Sequence, residues 1–338
     1  MEKMRVAING FGRIGRLYLR AIFEANLQDD VQVVAVNDLQ CVESAIHLLK
    51  HDSVHGLFNA NIEKISDTEF SVNGHKIAYA SDRDPEKLPW KNYEIDVVVE
   101  CTGAFRTHDA SYKHITAGAK KVLISCPSKD ADKTIVFGVN NNTLTSQDLI
   151  VSNASCTTNC LAPVVKVLQE NFGIINGHLL TVHSYTGDQR IVDLSHKDRR
   201  RARAGGINMI PTSTGATSAI EKIFPALAGK LCGMALRVPT PNVSMIDFTF
   251  TTDKTFSVDE LKTLIKQYSQ NELKGILGYS EEELVSSDFN HSSYSSVVDM
   301  PLVSIIGDHI GHVVAWYDNE WGFSNRMIDV TKLMYSVS

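Results

Sequence analysis

The stretch Arg5-Val6-Ala7-Ile8-Asn9-Gly10-Phe11-Gly12-Arg13-Ile14-Gly15 decides the first half of the fold. A short apolar run ends in G-x-G-x-x-G, and Ile14, Leu17, Tyr18, Ala21 and Ile22 then recur at helical spacing, so the segment reads as strand, tight turn and helix. Gly10, Gly12 and Gly15 in that setting let a pyrophosphate approach the backbone and rest on the helix N-terminus. Glycines alone mark only a turn; the flanking strand and helix give these their meaning. A second strand-like run, Val31 to Val36, leads into Asn37-Asp38. Asp38 stands near the spacing of an acid that binds a ribose 2′-hydroxyl and repels a 2′-phosphate, which favours NAD. The competing reading is that Asp38 caps a helix beginning near Cys41.

Outward from this unit, Asp96 to Cys101 and Lys121 to Ser125 are further buried-strand runs, and a helical segment from Asp109 to Ala117 stops at Gly118. The alternation implies an α/β, Rossmann-type, doubly wound parallel sheet. Past residue 155 the pattern changes. Cys156 to Asn171 reads as a helix with Leu161, Val164, Val165 and Leu168 on one face, and Asn242 to Thr252 alternates apolar with polar residues, as in an antiparallel strand with one wet face. Ser257-Val258-Asp259-Glu260 fits a capping box. Tyr185 to Met209 is long, polar and aperiodic, the mark of a functional loop. The expected organisation is a dinucleotide-binding domain over residues 1–155 and an α+β catalytic domain with a mainly antiparallel sheet over 156–319. A C-terminal helix within 320–338 would pack back onto the first domain.

Length and charge bound the function. A chain of 338 residues with 43% hydrophobic and 21% charged residues supports two well-filled cores. A net charge of -6 offers no general attraction for nucleic acid or anionic membrane beyond weak secondary binding, so anion sites must come from particular residues. The six cysteines lack the close pairing of a zinc site and the density of a disulfide scaffold, which predicts no metal and a reducing, cytoplasmic setting. Neither a signal peptide nor a membrane span is expected.

Ser155-Cys156-Thr157-Thr158-Asn159 puts a cysteine where a helix begins, and a helix N-terminus favours the nucleophilic thiolate. Cys41, Cys101 and Cys232 read as small buried hydrophobes. A cysteine nucleophile needs a proton carrier. His183 stands out, because it ends the apolar strand Gly177 to Val182 where the long loop begins.

Five runs now carry a resemblance: residues 6–16 around the glycine turn, residues 152–160 around Cys156, His183-Ser184-Tyr185-Thr186, Arg237-Val238-Pro239-Thr240-Pro241-Asn242-Val243 and Trp316-Tyr317-Asp318-Asn319-Glu320. In these motifs and their order the chain resembles the phosphorylating glyceraldehyde-3-phosphate dehydrogenases of glycolysis and gluconeogenesis, along nearly its whole length. The resemblance implies that Cys156 adds to the aldehyde of D-glyceraldehyde 3-phosphate to form a hemithioacetal, that His183 accepts its hydroxyl proton as hydride passes to NAD, and that inorganic phosphate releases the resulting thioester as an acyl phosphate. It further implies Thr186 and Arg237 at the substrate phosphate, and Ser155, Thr157, Arg201, Thr214 and Gly215 at the attacking phosphate. NAD contacts carried over with the glycine loop are Arg13, Ile14, Asp38, Arg83, Thr102, Ser125 and Asn319. The family is similar in forming homotetramers, with the long loop reaching a neighbouring subunit. Ser195 departs from the proline of many NAD-specific bacterial members and is similar to chloroplast-type members that accept NADP.

Two other readings compete. Erythrose-4-phosphate dehydrogenases are similar throughout but release a free acid with water; Pro211-Thr212-Ser213-Thr214-Gly215-Ala216, with its Thr-Gly pair, favours the phosphorylating enzyme. A non-catalytic dinucleotide-binding regulator is opposed by the joint presence of Cys156, His183, Thr186 and Arg237.

Overall fold

A computed structural model describes residues 3–337. The chain divides into two compact units, Met1–Ile135 with Asn140–Ala154 and Ser324–Ser338, and Val136–Val139 with Ser155–Phe323.

The first unit opens with β1 (Met4–Asn9), α1 (Arg13–Glu24), β2 (Val31–Asn37) and α2 (Val42–Lys50). A two-residue hairpin, β3 (His51–Asp52) and β4 (Gly56–Leu57), precedes the meander β5 (Ile62–Ser66), β6 (Glu69–Val72) and β7 (His75–Ala80). Then come β8 (Val97–Glu100), α3 (His108–Thr116), β9 (Lys121–Ile124), β10 (Lys133–Thr134) and β11 (Ile150–Ser152). The nine-stranded sheet runs β10-β11-β9-β8-β1-β2-β7-β6-β5, parallel up to β7 and antiparallel through the meander. Every residue of β8 and β9 is buried, which is why their apolar stretches, residues 97–99 and 122–124, show no polar alternation. Strand order reverses between β1 and β8, and such a switch point opens a crevice at the strands' carboxyl ends.

The second unit begins with α4 (Cys156–Asn171) and β12 (Ile174–Ser184), followed by β13 (Ile210–Thr212), α5 (Ala216–Ile223), β14 (Leu231–Val238) and β15 (Ser244–Thr252). It continues through α6 (Val258–Gln270), β16 (Leu277–Ser280), β17 (Ser296–Asp299), β18 (Ser304–Ile306) and β19 (Ile310–Tyr317). The sheet order is β13-β14-β12-β15-β19-β17-β16, antiparallel except for the β12·β14 and β16·β17 pairs. In β15, Ile246, Phe248 and Phe250 are at most 1% exposed while Asp247, Thr249 and Thr251 are half-buried. A one-residue slip would expose all three apolar side chains, each worth about 1.5–3 kcal/mol when buried, so the register is strongly set. The Ser257 hydroxyl accepts the Glu260 N–H and caps α6.

Two expectations change. Helix α4 is buried from Thr157 to Leu168 on every side rather than along one face, because a helix at the centre of a unit has no solvent side to show. Residues 185–209 contain no helix or strand, but the loop carries apolar side chains in the open, with Ile191 93% and Ile207 81% exposed. The last helix, α7 (Trp321–Ser336), ties into the first unit: Tyr18 Oη donates to Thr331 Oγ1 at 3.1 Å, and the buried Lys121 Nζ donates to the Met334 carbonyl at 2.8 Å. No helix among the described residues is long and apolar enough to cross a membrane.

Candidate active site

A cavity of about 440 Å³ in the first unit lies at the carboxyl ends of β1, β2 and β8, lined by Asn9, Gly10, Gly12, Asp38, Arg83 and Thr102 among others. Gly10 has φ +90°, and a Cβ there would sit 2.6 Å from the Thr102 nitrogen. A Cβ on Gly15 would sit 2.2 Å from the Gly10 carbonyl oxygen, so this glycine lets α1 close against the turn. Gly12 differs: nothing lies within 4 Å of its Cβ position, and as N-cap of α1 it supplies no side chain to the first helical N–H groups. That open cradle at a helix N-terminus fits a pyrophosphate. Asp38 does not cap α2, whose N-cap is Cys41; its carboxylate instead accepts the Phe11 N–H at 2.6 Å and the Gln40 N–H at 3.1 Å, bracing the glycine loop. Arg13 is ion-paired with Asp52, Ile14 is half-buried, and Ser125 follows β9 with its N–H on the Glu100 carbonyl at 3.0 Å.

In the second unit Cys156 is the first residue of α4, and the Ser155 hydroxyl caps the helix by accepting the Thr158 N–H at 3.0 Å. His183 lies near the end of β12, with Nε2 3.5 Å from Cys156 Sγ. Parallel pairing of β12 with β14 sets Arg237 opposite His183. His183 Nδ1 lies 2.7 Å from the Ser184 carbonyl, which can only accept and so draws the ring proton to Nδ1; Arg237 Nη1 donates to that same carbonyl at 2.9 Å and passes 2.8 Å from Nδ1 as a charged neighbour, not as its donor. That tautomer turns the Nε2 lone pair toward the thiol, the arrangement of a nucleophile with its base.

The electrostatics correct one expectation. Burial pushes the Cys156 thiol up, against the opposing pull of Arg237 and of the Thr157 N–H and hydroxyl. Burial, and then Arg237, drive His183 down to about 3, while the Ser184 carbonyl works the other way. Both shifts run toward the neutral forms, with burial opposing the pull of the helix terminus on the thiol. The other cysteines also differ from expectation. Cys41 and Cys232 are exposed and Cys101 is partly accessible; only Cys160 is fully buried.

The remaining assigned residues all lie in the second unit. Arg237 keeps a buried Nε–H with no protein partner, and Thr186 opens the loop with its N–H on Gln189 Oε1 at 3.3 Å. Arg201 is held by Asp188 at 2.5 Å, Thr212 Oγ1 at 2.9 Å and the Ser213 carbonyl at 3.3 Å. Gly215 is the N-cap of α5 without a side-chain cap, and Thr214 Oγ1 accepts the Ala216 N–H at 3.2 Å. Thr157 turns its hydroxyl to Tyr317 Oη at 2.9 Å. Asn319 belongs to the second unit, where Ser184 and Ser244 hydroxyls each lie 2.9 Å from its Oδ1.

Tyr317 stands in the last sequence motif but is given no role there. Its buried hydroxyl also meets Thr181 Oγ1 at 2.9 Å, and its ring stands edge-on to the His183 imidazole, with centroids 6.0 Å apart. The signal available was a tyrosine at the end of an apolar strand, whose buried hydroxyl must find partners.

Comparison with known proteins places both units in one family. Residues 4–108 match the model described as glyceraldehyde 3-phosphate dehydrogenase, NAD binding domain, and residues 155–319 match the corresponding C-terminal domain. Glyceraldehyde-3-phosphate dehydrogenase 2 of Trichormus variabilis is 51% identical over 333 residues, covering 98% of each chain. The enzyme of Cereibacter sphaeroides is 50% identical over 331 residues, again 98% of each chain. The chloroplastic A enzyme of Zea mays is 49% identical over 331 residues, 98% of this chain and 82% of that one. With both domains matched and half of all residues shared end to end, the chain belongs to the glyceraldehyde-3-phosphate dehydrogenase family.

Proposed function

We propose that the chain oxidises D-glyceraldehyde 3-phosphate to 1,3-bisphosphoglycerate with NAD and inorganic phosphate, with Cys156 as nucleophile and His183 as proton carrier. The observation that carries this reading is the 3.5 Å approach of Cys156 Sγ to His183 Nε2 beside Arg237. Sγ adds to the aldehyde carbon as its proton passes to Nε2, and the guanidinium of Arg237 stabilises negative charge developing beside it. NAD supplies the acceptor for the hydride that the resulting hemithioacetal loses. Cys156 then carries an acyl thioester, which keeps the oxidation energy in a reactive bond until phosphate attacks and the thiolate departs. Thr186 and Arg237 suit the substrate phosphate, the latter through its unpartnered Nε–H. Ser155, Thr157, Arg201, Thr214 and the bare N-terminus of α5 at Gly215 suit the attacking phosphate.

Six unpaired thiols suit a reducing compartment such as the cytoplasm. The apolar side chains presented by loop 185–209 suit burial against other copies in a homotetramer.

The test is NADH formation with each aldehyde, with and without phosphate. Glyceraldehyde 3-phosphate should give turnover that requires phosphate and vanishes in Cys156→Ser; phosphate-independent oxidation of erythrose 4-phosphate would refute the reading.

A further inference from the structure

Beneath the glycine loop runs a row of buried side chains to which the proposed reaction gives no part. Glu100 ends β8 and is 1% exposed. Its Oε2 receives Asn9 Nδ2 at 2.5 Å and His114 Nε2 at 3.2 Å. Its Oε1 receives the Thr102 N–H at 2.7 Å and the Thr102 hydroxyl. The polarity of the row is set at its far end. An indole can only donate, and Trp90 Nε1 lies 2.9 Å from His114 Nδ1. Nδ1 therefore carries the lone pair, and the neutral ring keeps its proton on Nε2, facing Glu100.

The same logic orients each following amide. Asn9 Nδ2 and His114 Nε2, 3.4 Å apart, are two donors converging on one oxygen. Asn9 Oδ1 is then left to accept from Asn37 Nδ2 at 2.7 Å. Asn37 clamps the backbone of Asp82, accepting its N–H at 2.9 Å and donating to its carbonyl at 3.0 Å. Groups whose roles cannot change, the Trp90 indole N–H, the Glu100 carboxylate and the Asp82 N–H and carbonyl, thus agree on one direction for every bond across the carboxyl ends of β8, β1 and β2 to the loop beyond β7. Asn9, Asn37, Asp82 and Thr102, where the row emerges, all line the dinucleotide cavity.

We propose that Glu100 and His114 are positioning residues for NAD, holding Asn9, Asn37, Asp82 and Thr102 in the orientation the dinucleotide meets. This rests on assigning the cavity to NAD. Glu100→Gln keeps the shape of the side chain but turns one acceptor into a donor. Whichever way the amide lies, N–H faces N–H, at Thr102 on one side or at Asn9 and His114 on the other.

The experiment is titration calorimetry of NAD into wild type and Glu100→Gln, with steady-state kinetics and Cys156 alkylation by iodoacetamide in parallel. The expected result is an NAD dissociation constant raised on the order of tenfold. At saturating NAD, kcat should stay within about twofold of wild type, as for a loss confined to cofactor binding. Alkylation of Cys156 without NAD should be unchanged. Wild-type NAD affinity in Glu100→Gln overturns the proposal, and so does a parallel fall in affinity, kcat and alkylation rate, which marks a general structural role. His114→Phe, which takes one donor from Glu100 and the acceptor from the Trp90 indole, gives a second measurement should Glu100→Gln not fold; unchanged affinity there overturns the proposal as well. Failure of the wild type to bind NAD would reject the cavity assignment instead.

Discussion

Lowering the pH from 7 to 5 should cost the wild-type protein about 2 kcal/mol of stability through His183 alone. The imidazole is 4% exposed and held down to about 3, whereas a solvated histidine titrates near 6.5. Between those values the unfolded chain binds a proton that the folded chain refuses, so stability is complete above about pH 6.5 and is lost as pH falls toward 3. At pH 5 the unfolded histidine is about 1.5 pH units below its midpoint and the folded one still neutral, which at about 1.36 kcal/mol per unit gives the figure. The perturbation that isolates the group is His183→Asn, which removes the titration and keeps a neutral polar side chain. Urea unfolding of both proteins at pH 7 and pH 5, followed by circular dichroism, measures the difference. Wild type should lose about 2 kcal/mol more than the variant over that interval. Equal losses in the two proteins would refute the claim that the folded site keeps His183 neutral.

The glycine turn gives a paired test: Gly12→Ala should leave the melting temperature unchanged and weaken NAD binding roughly tenfold or more, because its Cβ meets only the space a pyrophosphate would use. Gly15→Ala, whose Cβ would strike the Gly10 carbonyl, should lower the melting temperature as well. Wild type should prefer NAD to NADP by a wide margin in kcat/KM despite Ser195. Asp38→Asn, which keeps an oxygen for the Phe11 N–H but loses the charge, should narrow that ratio on the order of tenfold. Tyr317→Phe strips a partner from both Thr157 and Thr181 and should cost about 1–3 kcal/mol in urea unfolding.

Local pattern was enough wherever a single element carried the information. The turn at Gly10 to Gly15, the start of α4 at Cys156, the β15 alternation and the end of β12 near His183 each depend on residues within a few positions of one another. Propensity and periodicity act at that range, so these features are legible in the chain alone. The same local view left Asp38 with a capping alternative that the structure removes, took Cys41 and Cys232 for buried residues and saw α4 as one-faced. Exposure and partners depend on what packs opposite, and no neighbour in sequence reports that.

What the sequence by itself determined was thus the identity of the elements, the glycine cradle and the two residues proposed to exchange a proton. Only the tertiary structure decided how those two behave. Parallel pairing of β12 with β14 brings Arg237 to His183 from 54 positions away, and the return of β19 brings Tyr317 under Thr157 from 160 away. Such neighbours arise from strand order and register, which close long loops and are selected by the whole core. Burial, a property of that core, then pushes both the thiol and the imidazole toward their neutral forms, against the helix terminus that favours a thiolate.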